Sequence, residues 1–176
     1  LSDETRGNPP AFAFVNPNQP GCQYPDKHLA GVGVAFKLAH AMLREKGHSD
    51  KINDLLKITA IGTVADIMQL TGENRAIVAL GLRDLPKTKN WGLKALMEVA
   101  DCRSDMTSYD IGFRIAPRIN AAGRMDVAKH VVELLESADF ADARKLANLL
   151  DSRNRERQKM QQQITDLALL ETEKLS

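Results

Sequence analysis

A chain of 176 residues, 43 % of them hydrophobic and only 5 % aromatic, is long enough for one domain whose core rests on Leu, Ile, Val, Ala and Met. Charged residues make up 27 % and the formal net charge is +1, so any nucleic-acid contact must come from a local basic cluster. No apolar run approaches the roughly 18 to 20 residues that span a bilayer, which excludes a helical membrane span. Cys22 and Cys102 stand far apart without metal-type spacing. Together with an acidic opening, Leu1-Ser2-Asp3-Glu4, that carries no signal peptide, they predict free thiols in a reducing, cytoplasmic setting.

In chain order, residues 1–10 are polar with a Pro9-Pro10 pair and read as loop. The apolar run Ala11-Phe12-Ala13-Phe14-Val15, closed by Asn16-Pro17, is the best strand candidate. Residues 18–25 are rich in Pro, Gly and Asn and predict an irregular segment. From His28 a helical stripe forms through Leu29, Val32, Ala35, Phe36, Ala39 and Leu43, with Gly47 as its C-terminal stop. Asp50 or Asn53 is placed to cap a second helix, whose face Leu55, Leu56, Ile58, Thr59 and Gly62 runs into Thr63-Val64-Ala65-Asp66.

A third helix is predicted over about residues 74–82, ending before Pro86, and a fourth over about residues 92–100. Thr107 or Ser108 caps a short helix that Pro117 must terminate or kink. Residues 127–135 form another helix. From Asp139 one long helix runs to the end of the chain, polar almost all round over residues 151–163 as a solvent-crossing linker would be. Because the chain begins without Met and this helix has no stop signal, it is expected to be an excerpt of a longer protein. So many helices around so few strands suit the flank of an α/β sheet.

Three places carry potential chemistry. Asp66 closes an apolar stretch, and such a carboxylate is expected to be partly buried and to need a partner. It either caps nearby backbone or serves as a hard-metal ligand for Mg²⁺ or Mn²⁺. The segment Arg114-Ile115-Ala116-Pro117-Arg118-Ile119-Asn120-Ala121-Ala122-Gly123-Arg124 holds three arginines and no acid. Arginine forks match phosphate oxygens, and the small residues permit close approach by a ligand. The same arginines could instead pair internally with Asp105, Asp110 or Asp126. The third place is Arg153, Arg155, Arg157 and Lys159 on the long helix, a solvated charged face or a nucleic-acid contact. His28, His40, His48 and His130 show no pairing that suggests a role, and no phosphate-binding glycine loop or hydrolase elbow occurs.

Five ordered motifs give the chain a family likeness. They are Ala30-Gly31-Val32-Gly33-Val34-Ala35-Phe36, Gly62-Thr63-Val64-Ala65-Asp66-Ile67, Gly72-Glu73-Asn74-Arg75, Pro117-Arg118-Ile119-Asn120-Ala121-Ala122-Gly123-Arg124-Met125 and Asn154-Arg155-Glu156-Arg157-Gln158. In order and spacing they resemble RecJ-type single-stranded-DNA exonucleases, of the phosphoesterases named for an Asp-His-His (DHH) motif. Ala116 departs from the glycine expected before the proline, a difference confined to local loop geometry.

The resemblance implies an α/β fold. Residues 1–136 would be the helix-rich C-terminal part of a DHH-type parallel-sheet domain, and residues 137–176 the start of a long connecting helix to a second domain. It implies 5′-to-3′ degradation of single-stranded DNA in repair and recombination, with Mn²⁺ or Mg²⁺ in a two-metal site that activates water. Asp66 would be a metal-binding catalytic carboxylate, and Arg118, Asn120 and Arg124 would face the DNA backbone. The Asp-His-His motif itself is absent, and Leu1-Ser2-Asp3-Glu4 looks like the stretch that follows it. The chain alone is therefore expected to be inactive. The alternatives are a related phosphodiesterase of short oligonucleotides or cyclic dinucleotides, and a non-catalytic phosphate- or nucleic-acid-binding module.

Overall fold

The computed structural model describes residues 10–121 and 125–174. Among them run seven α-helices: α1 (Gly31–Glu45), α2 (Ile52–Ala65), α3 (Gly72–Asp84), α4 (Trp91–Val99), α5 (Ala116–Asn120), α6 (Met125–Leu135) and α7 (Phe140–Lys174). Short 3₁₀ turns at Ser49–Lys51 and Leu85–Lys87 and a π-helical turn at Asp110–Ile115 link them. The helix-rich part of the expected architecture is present. The sheet has no counterpart, since no strand occurs among the described residues. Residues 11–15 are accordingly not a strand. A strand needs a neighbour to take its backbone N–H and C=O groups, none is described beside this segment, and Phe12 and Val15 stand in solvent.

The helix ends follow from local chemistry. After α1, α2 and α4 the chain turns back identically, the amides of His48, Met68 and Cys102 donating to the carbonyls of Leu43, Thr63 and Met97 at 2.8, 3.3 and 2.9 Å. Such a turn needs one left-handed residue. Gly47 supplies it at φ 75°, but Ile67 (54°) and Asp101 (52°) supply it against steric preference.

Neither Asp50 nor Asn53 caps α2. Lys51 occupies that position with no side-chain bond, because the preceding 3₁₀ turn already engages the backbone there (Lys51 N to His48 O, 3.2 Å). Asn90 does cap α4, accepting from Leu93 N at 2.9 Å while its amide donates to Leu135 O at 2.7 Å. Thr107 opens the next helical course, and the Asp110 carboxylate reaches back to its N–H and hydroxyl. Pro117 does not stop that course. The chain widens into the π-helical turn before it, and the ring falls in the first turn of α5, where a missing N–H costs least.

The core lies in two clusters with α2 between them. Ala60 and Leu56 face Leu29, Phe36 and Ile77 of the α1–α3 side. Ile61 joins Leu85, Leu93, Leu96, Ile111, Ile115, Leu134 and Leu150, which gather α4, α6, the π turn and the start of α7. Close approach is enforced by glycine: a Cβ on Gly81 would overlap that of Ala60, and one on Gly92 would overlap the Leu134 carbonyl. Upstream, the irregular segment is clamped to α3. Asp26 accepts from Glu73 N (2.9 Å), Tyr24 and Lys37 both donate to the Glu73 carboxylate, and buried Asn74 donates to His28 O and Gln69 O. The Gly72-Glu73-Asn74 motif thus serves the fold.

Candidate nucleic-acid interface

Where α2 ends, its last turn, the π turn, α5 and α7 enclose a cleft of about 700 Å³. One wall is aliphatic, formed by Val64, Ile67, Met68 and Leu70. Tyr109 and Phe113 also line the cleft, their rings stacked at 4.6 Å and 27° and still 60 % and 69 % exposed. Ala116 and Pro117 line it too, and Ser108, Asn120 and Arg157 are its polar members. Among the described residues no carboxylate lines the cleft, and the formal charge they contribute is that of Arg157.

Asp66 sits at the rim, between the lining residues Ala65 and Ile67. It is the C-cap of α2 and is exposed, rather than partly buried. The backbone turn explains this: the left-handed Ile67 swings the chain outward directly after the cap, and Ile67 itself is 91 % exposed. Asp66 makes no side-chain bond within the described residues, so it caps the helix by position and through its backbone N–H, not through its carboxylate. No group of three or more His, Cys, Asp or Glu side chains that could hold a metal occurs among the described residues. One exposed carboxylate can contribute at most two oxygen ligands, whereas a hard cation takes six or more. The described residues therefore do not by themselves fit a two-metal site.

The arginine segment divides. Arg118 turns inward, 16 % exposed. Its Nε and Nη2 lie 2.9 Å from Asp151 Oδ1, and its Nη1 donates to Arg114 O at 2.6 Å. Its partner comes from α7, outside the three acids that the sequence suggested. Arg114 does pair with one of those three, Asp110 (3.4 Å), and bonds the Asp101 carbonyl. Asn120 is exposed on the cleft, with no side-chain hydrogen bond within the described residues. Arg124 lies outside the described residues, as does the opening Leu1-Ser2-Asp3-Glu4.

On α7, packing ends with Leu150, Asp151 and Asn154, and residues 155–172 are all exposed. At 1.5 Å per residue these 18 residues extend roughly 27 Å. Arg153 pairs with Glu156, Arg155 with Asp151, and Arg157 bonds Asn154 at the cleft. The basic run is thus mostly a solvated, self-paired face, with Arg157 the member that meets the cleft. Sequence reasoning missed Tyr109, Phe113 and Ile67. Two aromatics four apart in a chain with only five Phe, two Tyr and one Trp were the available signal.

No family profile matches the chain. Over 162 residues it is 47 % identical to the single-stranded-DNA-specific exonuclease RecJ of Bacillus subtilis, a match covering 92 % of the chain and 20 % of that protein. It is 41 % identical to the RecJ of Escherichia coli, over 95 % of the chain and 31 % of that protein. Among solved structures, RecJ of Thermus thermophilus in complex with Mg²⁺ superposes with a TM-score of 0.73 at 34 % identity, covering 81 % of this chain and 22 % of that one. An exonuclease RecJ bound to manganese gives 0.71 at 34 % identity, over 79 % and 35 %. Sequence and helices thus match one segment of the RecJ single-stranded-DNA-specific exonucleases. The chain spans less than a third of the curated relatives' length.

Proposed function

We propose that this chain is the part of a metal-dependent 5′-to-3′ single-stranded-DNA exonuclease that seats the strand beside the reacting phosphate. The observation that carries this reading is a cleft lined by Arg157 and Asn120, with no acid among its described lining residues and the exposed Asp66 at its rim. A polyanion entering it meets Arg157, and its repulsion by Asp66 is relieved when that carboxylate binds a cation. In this reading Asp66 gives one ligand to Mn²⁺ or Mg²⁺, and the remaining ligands belong to other parts of the whole protein. The metal supplies charge neutralisation and an activated water when bound. Asn120 and Arg124 contact the DNA backbone. Arg118, expected from the sequence to face the DNA, instead holds their segment through Asp151 and the Arg114 carbonyl. Residues 1–136 act as part of the catalytic domain, its sheet included, and residues 137–176 as the connecting helix, in a cytoplasmic DNA repair and recombination enzyme.

The purified chain should bind single-stranded oligonucleotides yet release no nucleotides with Mn²⁺ or Mg²⁺. Metal-dependent release that disappears in Asp66→Ala would overturn the inactivity of the chain. A second reading, a phosphate- or nucleic-acid-binding module without catalysis, is favoured by the lack of any metal-capable cluster among the described residues. Rates of the whole protein on long strands against dinucleotides separate the exonuclease from a short-oligonucleotide phosphodiesterase. No turnover on either leaves the binding module.

A further inference from the structure

Phe12, Phe14 and Trp91 are exposed as well, but Tyr109 and Phe113 are the stacked aromatic pair among the described residues. They stand side by side in solvent while Phe36 and the aliphatic residues form the cores. They do not collapse onto the body. The π-helical turn beginning at Asp110 is fixed from beneath by buried Ile111 and Ile115, and it holds Phe113 against Tyr109 with the stack facing the cleft. π-helical turns of this kind recur at functional sites.

The occupant is constrained by chemistry. It must offer a flat apolar face to the rings. It must also tolerate or prefer positive charge, because the cleft is lined by Arg157 and Asn120, with no carboxylate among its described lining residues. An unstacked nucleobase with its phosphate meets both conditions, since every base has a π-face and its linkage is anionic. A neutral aliphatic peptide meets neither.

We infer that the Tyr109–Phe113 stack is the platform on which a base of the bound single strand lies, held against the aliphatic wall of Ile67 and Met68, with the adjoining phosphate toward Asn120 and Arg157. This deepens the single-strand reading above and rests on it. Because the platform reads a face and no edge, it selects for unpaired bases and is indifferent to sequence. A duplex, whose bases are already stacked, cannot use it.

The test is fluorescence anisotropy of the full chain at low salt with two labelled probes, a short oligothymidylate and a strand of equal length made of abasic sites. The wild type is expected to bind the base-bearing strand roughly 5- to 150-fold more tightly, the span of one base–aromatic stack. Tyr109→Leu/Phe113→Leu keeps apolar volume at two exposed positions, and far-UV circular dichroism confirms its fold. It should bind both probes like the wild type binds the abasic one. Tyr109→Trp/Phe113→Trp should restore the preference. Equal wild-type binding of the two probes overturns the platform while leaving phosphate recognition standing, and no binding of either overturns the single-strand reading with it. A wild-type dimer that the Leu pair converts to monomer would assign the stack to self-association and overturn the inference.

Discussion

Asp151 is the point at which stability and the candidate site meet, and its removal has a calculable outcome. The carboxylate is 9 % exposed, with Arg118 on Oδ1 and Arg155 on Oδ2 (2.8 Å). The two arginines differ sharply. Arg155 is 76 % exposed and rehydrates freely when its partner goes, whereas Arg118 is 16 % exposed and keeps only its bond to Arg114 O. Breaking a buried pair by removing one partner costs about 3–5 kcal/mol, chiefly from the stranded charge. Arg118 retains one carbonyl and some solvent, so Asp151→Ala should cost about 3 kcal/mol. Arg155→Ala, acting on the same carboxylate from outside, should cost about 0–1 kcal/mol. Replacing both buried partners, Arg118→Met with Asp151→Leu, should recover most of the loss, because no uncompensated charge remains. Urea denaturation followed at 222 nm measures all three variants, and added salt should change the Asp151 effect little, since buried pairs are weakly screened. If Asp151→Ala and Arg155→Ala cost the same, the ion pair is not the anchor of the Pro117–Asn120 segment and the reasoning fails.

Gly92→Ala places a methyl on the Leu134 carbonyl, a backbone atom that cannot step aside, so a loss of about 1–3 kcal/mol or more is expected in the same assay. Ile67→Gly relieves a β-branched residue at φ 54° and gives up no buried surface, so it should stabilise by about 1 kcal/mol, and an unchanged midpoint would count against strain at that turn. Burial pushes the Cys102 thiol up to about 11, with the Asp110 charge adding to the effect. It should therefore react with disulfide reagents near pH 8 about a hundredfold more slowly than an ordinary thiol, as mass spectrometry of partially labelled chain would reveal. Burial works against the charge on Glu73, but the hydrogen bonds from Lys37 and Tyr24 outweigh it and hold the carboxyl below its usual range. The sign follows: the clamp stabilises fully above the ordinary carboxylate value near ~4.3 and is lost as pH falls through the lowered one. The stability gap between wild type and Glu73→Gln should therefore close in acid.

The helices were legible because each carries its own period and stop. The stripe from Leu29 to Leu43 with Gly47 behind it, and the Pro86 that closes α3, needed no knowledge of the rest of the chain. What failed were features that depend on a partner. Residues 11–15 have the composition of a strand, but a strand exists only where another chain segment takes its hydrogen bonds. Asp50 was a plausible cap until a 3₁₀ turn engaged the backbone first. Pro117 was expected to terminate or kink the helix because the rule assumes an α-helical turn before it; the helical course continues past it, and the π-helical turn changes what the ring meets.

The candidate site was legible only in part, and the reason is geometric. Sequence places Arg118 and Asn120 two residues apart, which in a helical turn sends them in different directions: one inward to Asp151, the other to the cleft. Asp66 was expected to be buried because the residues before it are apolar. Its exposure is set instead by the residue after it, Ile67, whose left-handed backbone carries both side chains out to the rim. A β-branched residue held in that conformation, fully exposed, gains nothing for the fold that glycine would not give more cheaply, as Gly47 demonstrates in the same turn of α1. Strain that the fold does not require points to a task at the surface. The same logic applies across the cleft, where an aromatic stack forgoes burial. Two departures from folding economy line one cleft beside the exposed Asp66 carboxylate, and a strand lying in it would give both a function.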